Sequence, residues 1–289
     1  METIDDSKQS CWAKMPPEML TEILTRIEAS ESDWPFRKNV VSCAGVCRSW
    51  RKTMKEIVES PHLSGKLTFP ISVKQPGSVG SSTQCAIDID IDKQIYIHFH
   101  HQPKAPVYGR MKFLLAAKRV TYATRIEYII FVHYEHVLGI LRSNFLGTKF
   151  RLYASNNPVS SISYALRNRC LRQMQCEINI IPANSLLLPS TLKLKDVKLV
   201  LKSKSSRWQS KLWRWCLKLI GRVTFGSIRN FELVVCLNNE AEVKQDENIL
   251  LQFKKAARGL YFMDYQYPIS SLQAFAICLS TFDTKVACD

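Results

Sequence analysis

The chain of 289 residues is long enough for one large domain, or for a large domain with a small one, and its 46% hydrophobic content allows a substantial core. These values exclude an intrinsically disordered chain, and no apolar run reaches the about 20 residues of a membrane-spanning helix. The acidic start at 1–6 and ten cysteines without a C-x-x-C pair predict an intracellular protein with reduced, buried thiols and no zinc site.

The net charge of +15 is unevenly distributed along the chain. Residues 1–60 carry nine Lys/Arg and ten Asp/Glu, whereas residues 61–289 carry 31 Lys/Arg and 15 Asp/Glu. The basic excess therefore belongs to the second part alone. It is either a general basic surface or a site for anionic partners, meaning phospholipid headgroups or nucleic acid.

Residues 14–58 have the pattern of a small helical unit. Pro16 and Pro17 mark a helix start, and Leu20, Ile23, Leu24 and Ile27 recur at the spacing of one helical face. A break follows at 33–35, and 39–60 reads as two more helices. Their apolar residues are Val41, Ala44, Val46, Cys47, Trp50, Met54 and Ile57. About 45 residues is small for an independent core, so the unit either packs on the rest of the chain or offers apolar surface to a partner.

Two segments of this unit resemble the F-box: Met15-Pro-Pro-Glu-Met-Leu-Thr-Glu-Ile-Leu24 and Val46-Cys-Arg-Ser-Trp-Arg51. The resemblance implies docking onto the Skp-type adaptor of a cullin–RING ubiquitin ligase. By position, the adaptor contacts would come from Pro16, Leu20, Ile23, Leu24, Val46, Cys47 and Trp50. The same residues could instead form the core of the unit, and for Leu24 and Trp50 both roles can hold.

From residue 60 onward, short alternating runs predict β-strands. Segment 85–99 reads as a half-buried strand whose apolar and acidic residues alternate: Ile87, Ile89 and Ile91 against Asp88, Asp90 and Asp92. The three aspartates could suggest calcium, but the glycine and terminal glutamate of an EF-hand are missing, which favours a solvated strand face.

The histidines also raise the question of a metal. His98 and His100 share a face of a strand, as two ligands could, and His101 follows. No third candidate ligand follows at a sequence spacing that is typical of a metal site. Packing in an aromatic-rich strand is therefore favoured, and the same holds for His133 and His136.

A basic hairpin is predicted from two strands, 111–119 and 126–133, with a third apolar segment at 138–150. Between Lys104 and Arg125 there are six Lys/Arg and no acid. The hairpin is either a solvated basic surface or a phosphate clamp, in which cations from adjacent strand ends converge on a charged headgroup.

Residues Lys193–Arg229 contain eleven Lys/Arg, one acid and interleaved tryptophans at 208, 213 and 215. Such a mixture can indicate nucleic-acid or membrane-surface contact, but core packing of the tryptophans is favoured. Segment 221–235 predicts two strands and 249–253 another, with 254–258 as a short basic connection.

Residues 268–282 predict a short helix capped by Ser270 or Ser271. Leu272, Phe275 and Leu279 form one face, and apolar residues fill most of the rest. A helix that is apolar nearly all round is buried, and this one is too short to span a bilayer. The sequence therefore predicts a β-barrel wrapped around it, and truncation after Tyr267 should abolish folding.

Several of these segments resemble the Tubby domain. They are Lys112-Phe-Leu-Leu-Ala-Ala-Lys-Arg119, the Leu-Arg-Ser-Asn-Phe-Leu-Gly-Thr-Lys-Phe run at 141–150, Phe262-Met-Asp-Tyr-Gln-Tyr-Pro268, Gln273-Ala-Phe-Ala-Ile-Cys278 and Phe282-Asp-Thr-Lys285. Gly65–Gly77 resembles the plant version, and an F-box directly ahead is the arrangement of plant Tubby-like F-box proteins. The chain is identified as a divergent member, with altered residues after Arg119 and at 154–195, including a lost glycine turn at 166–172.

The resemblance implies an α+β protein with a three-helix F-box at 10–60 and a closed twelve-stranded antiparallel Tubby barrel at 61–289. It also implies a cleft for phosphatidylinositol bisphosphate, with Lys118, Arg119 and Arg142 at the headgroup, and Arg125 as partial compensation for the altered hairpin. Release from the membrane and entry into the nucleus as a transcription regulator is implied for the family.

No catalytic motif, phosphate-binding loop or cofactor signature is present, so a non-enzymatic adaptor is predicted. Its F-box would recruit a ubiquitin ligase of the SCF type, while the barrel binds phosphoinositide, an unknown protein to be ubiquitinated, or both. The alternative is a phosphoinositide-tethered or DNA-binding transcription regulator with a vestigial F-box. The expected locations are the cytoplasmic face of the plasma membrane, the cytoplasm and the nucleus.

Overall fold

The computed structural model divides the chain into two compact units, Met1–Ser60 and Pro61–Asp289. It describes residues 15–31, 37–59, 68, 76–77, 82–100, 112–133, 136–167, 171–180, 198–204, 207–209, 214–216, 225–236 and 249–283. Among these residues no helix has both the length and the apolar character that crossing a membrane requires.

The first unit contains the three predicted helices: α1 at Pro17–Ser30, α2 at Lys38–Val46 and α3 at Arg48–Ile57. Proline is tolerated at the start of α1 because the first N–H of a helix has no partner in any case. The buried apolar residues come from all three helices: Leu20, Leu24, Val40, Ala44, Trp50 and Met54. The predicted break at 33–35 lies outside the described residues.

An ion pair joins α1 to the start of α2. The side chain of Arg37 is only 1% exposed and lies 2.7 Å from Glu28, with the arginine Nη2 donating to Oε1. Nη1 of Arg37 also donates to the carbonyl of Glu31 at 2.9 Å. The bridge therefore holds the end of α1 to the start of α2.

Fourteen strands lie within the described part of the second unit. They are β1 Thr83–Asp90, β2 Ile95–His100, β3 Lys112–Thr121, β4 Ile126–His133, β5 His136–Ser143, β6 Lys149–Ala154, β7 Asn157–Arg167, β8 Leu171–Asn179, β9 Lys198–Ser203, β10 Arg207–Gln209, β11 Arg214–Cys216, β12 Phe231–Val235, β13 Ile249–Ala257 and β14 Leu260–Tyr265. Twelve of them form a closed antiparallel barrel, in which β1 pairs with both β2 and β14, and β9 pairs with β12. β10 and β11 pair separately. The predicted barrel is confirmed.

The segment predicted as one half-buried strand at 85–99 is a hairpin, so that prediction was wrong in its extent. β1 ends at Asp90, and residues 91–94 form a turn in which Asp90 Oδ1 accepts from the backbone N–H of Lys93 at 3.0 Å. Ile87 is buried as predicted, whereas Ile91 lies in the turn and is exposed. The alternation of isoleucine and aspartate continues into the turn as far as Asp92, and this hid the end of the strand.

Within the described part of the divergent stretch 154–195, β7 and β8 are regular strands. They pair over eight residues each, Ser160 to Arg167 with Leu171 to Ile178. Of the two strands predicted at 221–235, the described residues contain β12 and an isolated bridge between Phe225 and Lys255. The predicted connection at 254–258 is mostly strand, because β13 continues to Ala257. The packing of Trp208, Trp213 and Trp215 falls outside the side chains that the structure describes.

The final helix, α4, spans Ser271–Ser280, and all ten of its residues are buried. Ser270 caps it: its Oγ accepts from the N–H of Gln273, while the Gln273 side chain accepts from the N–H of Ser270 at 3.0 Å. The helix packs in the main core with inward-facing residues of β1–β9 and β12–β14. The predicted barrel around a central apolar helix is thus confirmed.

His98 faces this helix and is fully buried, with its ring centroid 5.1 Å from that of Phe275. Neither ring nitrogen has a hydrogen-bond partner among the described residues. Burial, and to a smaller degree the neighbouring His100, lowers the pKa of His98 to about 3. The histidine is therefore a neutral core residue.

We expect this histidine to make the protein less stable in acid. Below about pH 6.5 the unfolded chain protonates its histidine while the native ring stays neutral, so stability present above pH 6.5 is lost as the pH falls toward 3. Relative to a His98→Leu variant, the wild-type unfolding free energy should fall by about 1.4 kcal/mol per pH unit in that window. Urea unfolding across the pH series measures this. His136→Gln, at an exposed strand end, should keep the wild-type slope, and equal slopes for His98→Leu and wild type would contradict the prediction.

Candidate functional site

The predicted basic hairpin lies where three neighbouring strands, β3, β4 and β5, run side by side. Val120 pairs with Glu127, and Glu127 pairs with Arg142, so these three side chains share the outer face of the barrel. Lys118 is two residues from Val120 and is on the same face. Arg119 points the opposite way, toward the interior, because successive side chains of a strand alternate between faces.

A buried carboxylate holds two arginines on this outer face. Oε1 of Glu127 accepts a hydrogen bond from Nε of Arg125 at 2.7 Å and forms an ion pair with Nε of Arg142 at 2.9 Å. The Glu127 side chain is only 6% exposed, whereas the two arginines are nearly half exposed. The carboxylate therefore lies beneath the two guanidinium groups, with the arginines toward solvent.

A tyrosine supports each of these arginines. The guanidinium carbon of Arg125 lies 4.8 Å from the ring centre of Tyr122, and that of Arg142 lies 5.2 Å from the ring centre of Tyr153. Within the described residues, no protein acceptor binds the terminal nitrogens of either guanidinium. These planar donors are thus held in place with N–H groups still available, which suits bidentate binding of phosphate oxygens.

Arg119 has a different environment at the end of the barrel. Its Nε and Nη2 donate to the carboxylate of Asp283 at 2.8 Å each, and the hydroxyl of Tyr128 donates to the same carboxylate. Asp283 follows α4, so this contact ties the end of the central helix to β3. Nη1 of Arg119 also donates to Gln94 and Thr121.

These contacts perturb the groups around Asp283. The hydrogen bonds from Arg119 to Asp283 hold the pKa of Arg119 above its usual value, and burial raises the pKa of Tyr128 well above its usual value. Burial also raises the pKa of Tyr96, whose ring contacts that of Tyr128 edge to face. The cluster is therefore a charged arginine and carboxylate flanked by neutral tyrosines.

The three cations predicted at the headgroup thus do not converge on one point. Lys118 and Arg142 share the outer face, while Arg119 is bound to Asp283 at the interior end. Arg125, which the sequence suggested as a substitute, lies beside Arg142. Sequence reasoning missed Glu127, although an acid within the apolar run at 126–132 is a signal that could have pointed to it.

The predicted adaptor-binding residues of the helical unit fall into two groups. Leu20, Leu24 and Trp50 are buried in its core. The other four remain accessible: Pro16 just before α1, Ile23 on α1, Val46 at the end of α2, and the half-buried Cys47. Met19, which was not predicted, is 58% exposed beside them in sequence. The exposed apolar residues are the ones that can contact a partner without unfolding the unit.

Within the described ranges, no three His, Cys, Asp or Glu side chains lie close enough together to hold a metal ion. The cysteines whose side chains the structure describes are free thiols: Cys43, Cys47, Cys85, Cys176, Cys236 and Cys278. Asp90, one of the aspartates considered for calcium, instead bonds the turn after β1.

A family model matches most of the chain, and curated relatives match nearly all of it. The model of the Tub family matches residues 73–181 and 155–284. The chain is 42% identical to Tubby-like F-box protein 3 of Arabidopsis thaliana, over 99% of this chain and 89% of the relative. It is 40% identical to Tubby-like F-box protein 6 of Oryza sativa subsp. japonica, over 98% and 88%, and 37% identical to Tubby-like F-box protein 2 of Arabidopsis thaliana, over 99% and 90%.

Proposed function

The chain belongs to the Tubby family, and on that premise we propose that it is a non-enzymatic adaptor with two binding surfaces. The helical unit ahead of the barrel binds a Skp-type adaptor and makes the chain the substrate-recognition subunit of an SCF-type ubiquitin ligase. The barrel binds the headgroup of a phosphoinositide. The Tubby-like F-box names of the relatives support the first part, and the arginine pair over Glu127 supports the second.

The ligase part is carried by the apolar residues that the helical unit leaves exposed. Met19, Ile23 and Val46 are 58%, 36% and 56% exposed, although the unit already has a core of its own. When a partner covers such side chains, burial of their apolar surface favours binding by about 25 cal/mol per Å². Leu24 and Trp50 are needed for the fold, so their replacement would not separate binding from unfolding.

We expect the double variant Ile23→Asp with Val46→Asp to bind a purified Skp-type adaptor at least about tenfold more weakly than wild type, because two anchors would become buried charges. Pull-down and calorimetric titration of the full chain measure this. Lys52→Asp, an exposed change on α3, is the charge control, and circular dichroism checks that the helices persist. Wild-type affinity in the folded double variant would reject the ligase part and favour the transcription regulator with a vestigial F-box.

The lipid part is carried by the two arginines that Glu127 and the tyrosines hold in place. Lys118 on β3 lies on the same outer face as Arg142 on β5, with β4 between them. Neighbouring strands are about 4.8 Å apart, so these two long side chains can reach the same phosphate group. Charged hydrogen bonds to phosphate are worth about 1.5–3 kcal/mol each, so losing one or two contacts should be measurable.

We expect the double variant Lys118→Gln with Arg142→Gln to bind vesicles containing phosphatidylinositol bisphosphate at least about tenfold more weakly at fixed salt. Arg125 stays in place, so Glu127 keeps one partner and the barrel should remain folded. The control Lys55→Gln with Lys198→Gln removes the same net charge from exposed positions on α3 and at the opposite end of the barrel. If the two double variants bind equally, the outer-face cations are not the clamp.

The proposal also sets the expected location. A phosphoinositide ligand would place the protein at the cytoplasmic face of the plasma membrane, and release would return it to the cytoplasm and nucleus. The protein to be ubiquitinated would bind while the helical unit is on the ligase adaptor or the barrel is on the membrane.

A further inference from the structure

We propose that one end of the barrel inserts apolar turn residues into an anionic membrane, and does not only bind a headgroup. This end, the hairpin rim, consists of the turns after β1, β3 and β5, at residues 91–94, 122–125 and 144–148. The inference rests on the lipid part of the proposed function and adds a second, apolar contact beside the arginine pair.

The strand pairing puts these three turns at the same end. β1 to β6 are consecutive neighbours and all antiparallel, so every second connection lies on the same side of the barrel. Successive hairpins are two strand spacings apart, or about 10 Å, so the three turns follow an arc of the rim. The loop before β12 is at the same end, because Phe225 pairs with Lys255 close to the turn after β13.

Each turn exposes apolar side chains. Phe145 and Leu146, adjacent in the turn after β5, are 63% and 59% exposed. Ile91 and Tyr122 are exposed in the other two turns, and Phe225 and Ile228 in the loop before β12. A clustered display of large apolar side chains is unusual on a monomeric surface and marks an interaction site.

The turn that carries Phe145 and Leu146 is held rigidly. Oδ1 of Asn144 accepts from the N–H groups of Thr148 and Lys149, at 2.8 and 3.0 Å, and its Nδ2 donates to the Thr148 hydroxyl at 3.0 Å. The backbone closes with Asn144 N–H to the Lys149 carbonyl at 2.8 Å, and Gly147 has a φ of +64°. The two apolar residues therefore project from a fixed turn, and ordering them on binding costs little.

The charge around the rim identifies the occupant as an anionic bilayer. Exposed cations accompany each turn: Lys93, Arg125, Arg142 and Lys149. Among the described residues the nearby acids are Asp92 and three acids that each pair with a cation: Asp90 with Lys93, Glu127 with the two arginines, and Asp283 with Arg119. Apolar tips beside cations match a surface whose anionic phosphates lie above an acyl interior.

The test compares full-length wild type with Phe145→Ser/Leu146→Ser in two assays. One is sedimentation with vesicles of phosphatidylcholine, phosphatidylserine and phosphatidylinositol bisphosphate; the other is titration with soluble inositol trisphosphate. We expect vesicle affinity to fall at least about tenfold, a loss that persists at high salt, because burial of apolar surface is not screened. Binding of the soluble headgroup should be unchanged. Val137→Ser, at an exposed apolar residue of the opposite end, should behave as wild type.

The outcomes separate this inference from the proposed function. Wild-type vesicle affinity in the folded Phe145/Leu146 variant would overturn insertion while leaving headgroup binding intact. Failure of the wild type to bind soluble headgroup, with vesicle binding that still needs Phe145 and Leu146, would overturn the headgroup proposal and support insertion. Absence of vesicle binding by the wild type would overturn insertion, and a protein would then be the expected partner of the hairpin rim. Because both residues are exposed, an unchanged melting temperature is expected.

Discussion

Replacing Phe275 with alanine is expected to lower the free energy of unfolding by about 3–5 kcal/mol. Its ring is fully buried at the centre of α4, lies tilted against the ring of His98 and belongs to the main core with residues of the surrounding strands. A closed barrel cannot collapse around the missing ring, so most of the cavity should remain. Urea denaturation of the full chain, followed by tryptophan fluorescence, measures the loss.

The same substitution at an exposed phenylalanine is the matched control. Phe145→Ala removes the same atoms from a turn where the ring is mostly in water, and we expect a change within about 0.5 kcal/mol. Truncation after Tyr267 removes the whole helix and should leave no cooperatively folded barrel. A Phe275→Ala protein as stable as Phe145→Ala would show that α4 is not the core of the barrel.

Replacing Arg37 with alanine should destabilise the helical unit by about 3–5 kcal/mol, because it removes the cation of an ion pair with the largely buried Glu28. The carbonyl of Glu31 loses a donor in the same step. Since the unit is small, this is a large fraction of its stability. Circular dichroism during heating measures this loss: the helical signal of the variant should disappear at a lower temperature than that of the wild type.

The control for this prediction is the neighbouring exposed lysine. Lys38→Ala removes a cation at the adjacent position without uncovering a buried group, and should leave the thermal transition within about 0.5 kcal/mol of wild type. Arg37→Met, which fills part of the space without the charge, separates packing from pairing. A loss as large as that of alanine assigns the effect to the lost ion pair and not to packing. Stability unchanged in Arg37→Ala would mean that the buried bridge is energetically neutral.

The elements with local signals were predictable from the sequence. In α1 the apolar residues recur with the helical period, and in α4 nearly every position is apolar, which only a surrounded helix tolerates. The turn at 91–94 was missed because the period-two pattern of isoleucine and aspartate continues into its first half, at Ile91 and Asp92. The three consecutive polar residues 92–94 interrupt that pattern and are the local signal of the reversal.

The candidate site was less predictable because it depends on register between strands. That Glu127 lies between Arg125 and Arg142 follows from the pairing of β4 with β5, which includes two register shifts. No local pattern fixes that pairing. The separation of Lys118 from Arg119, in contrast, follows from strand geometry alone, since adjacent residues face opposite sides. Only the partner of Arg119, Asp283, required the fold.

The position of α4 in the chain affects how the protein is made. The helix that fills the barrel follows all twelve of its strands, and β1, near the beginning of the barrel, closes against β14 only just before α4. Synthesis proceeds at about 5–20 residues per second. For several seconds or more, until β14 and α4 have been made, the early strands therefore have exposed apolar inner faces and one unpaired edge. Nascent chains of this protein should depend on molecular chaperones until α4 has emerged, more than a fold whose core is complete early.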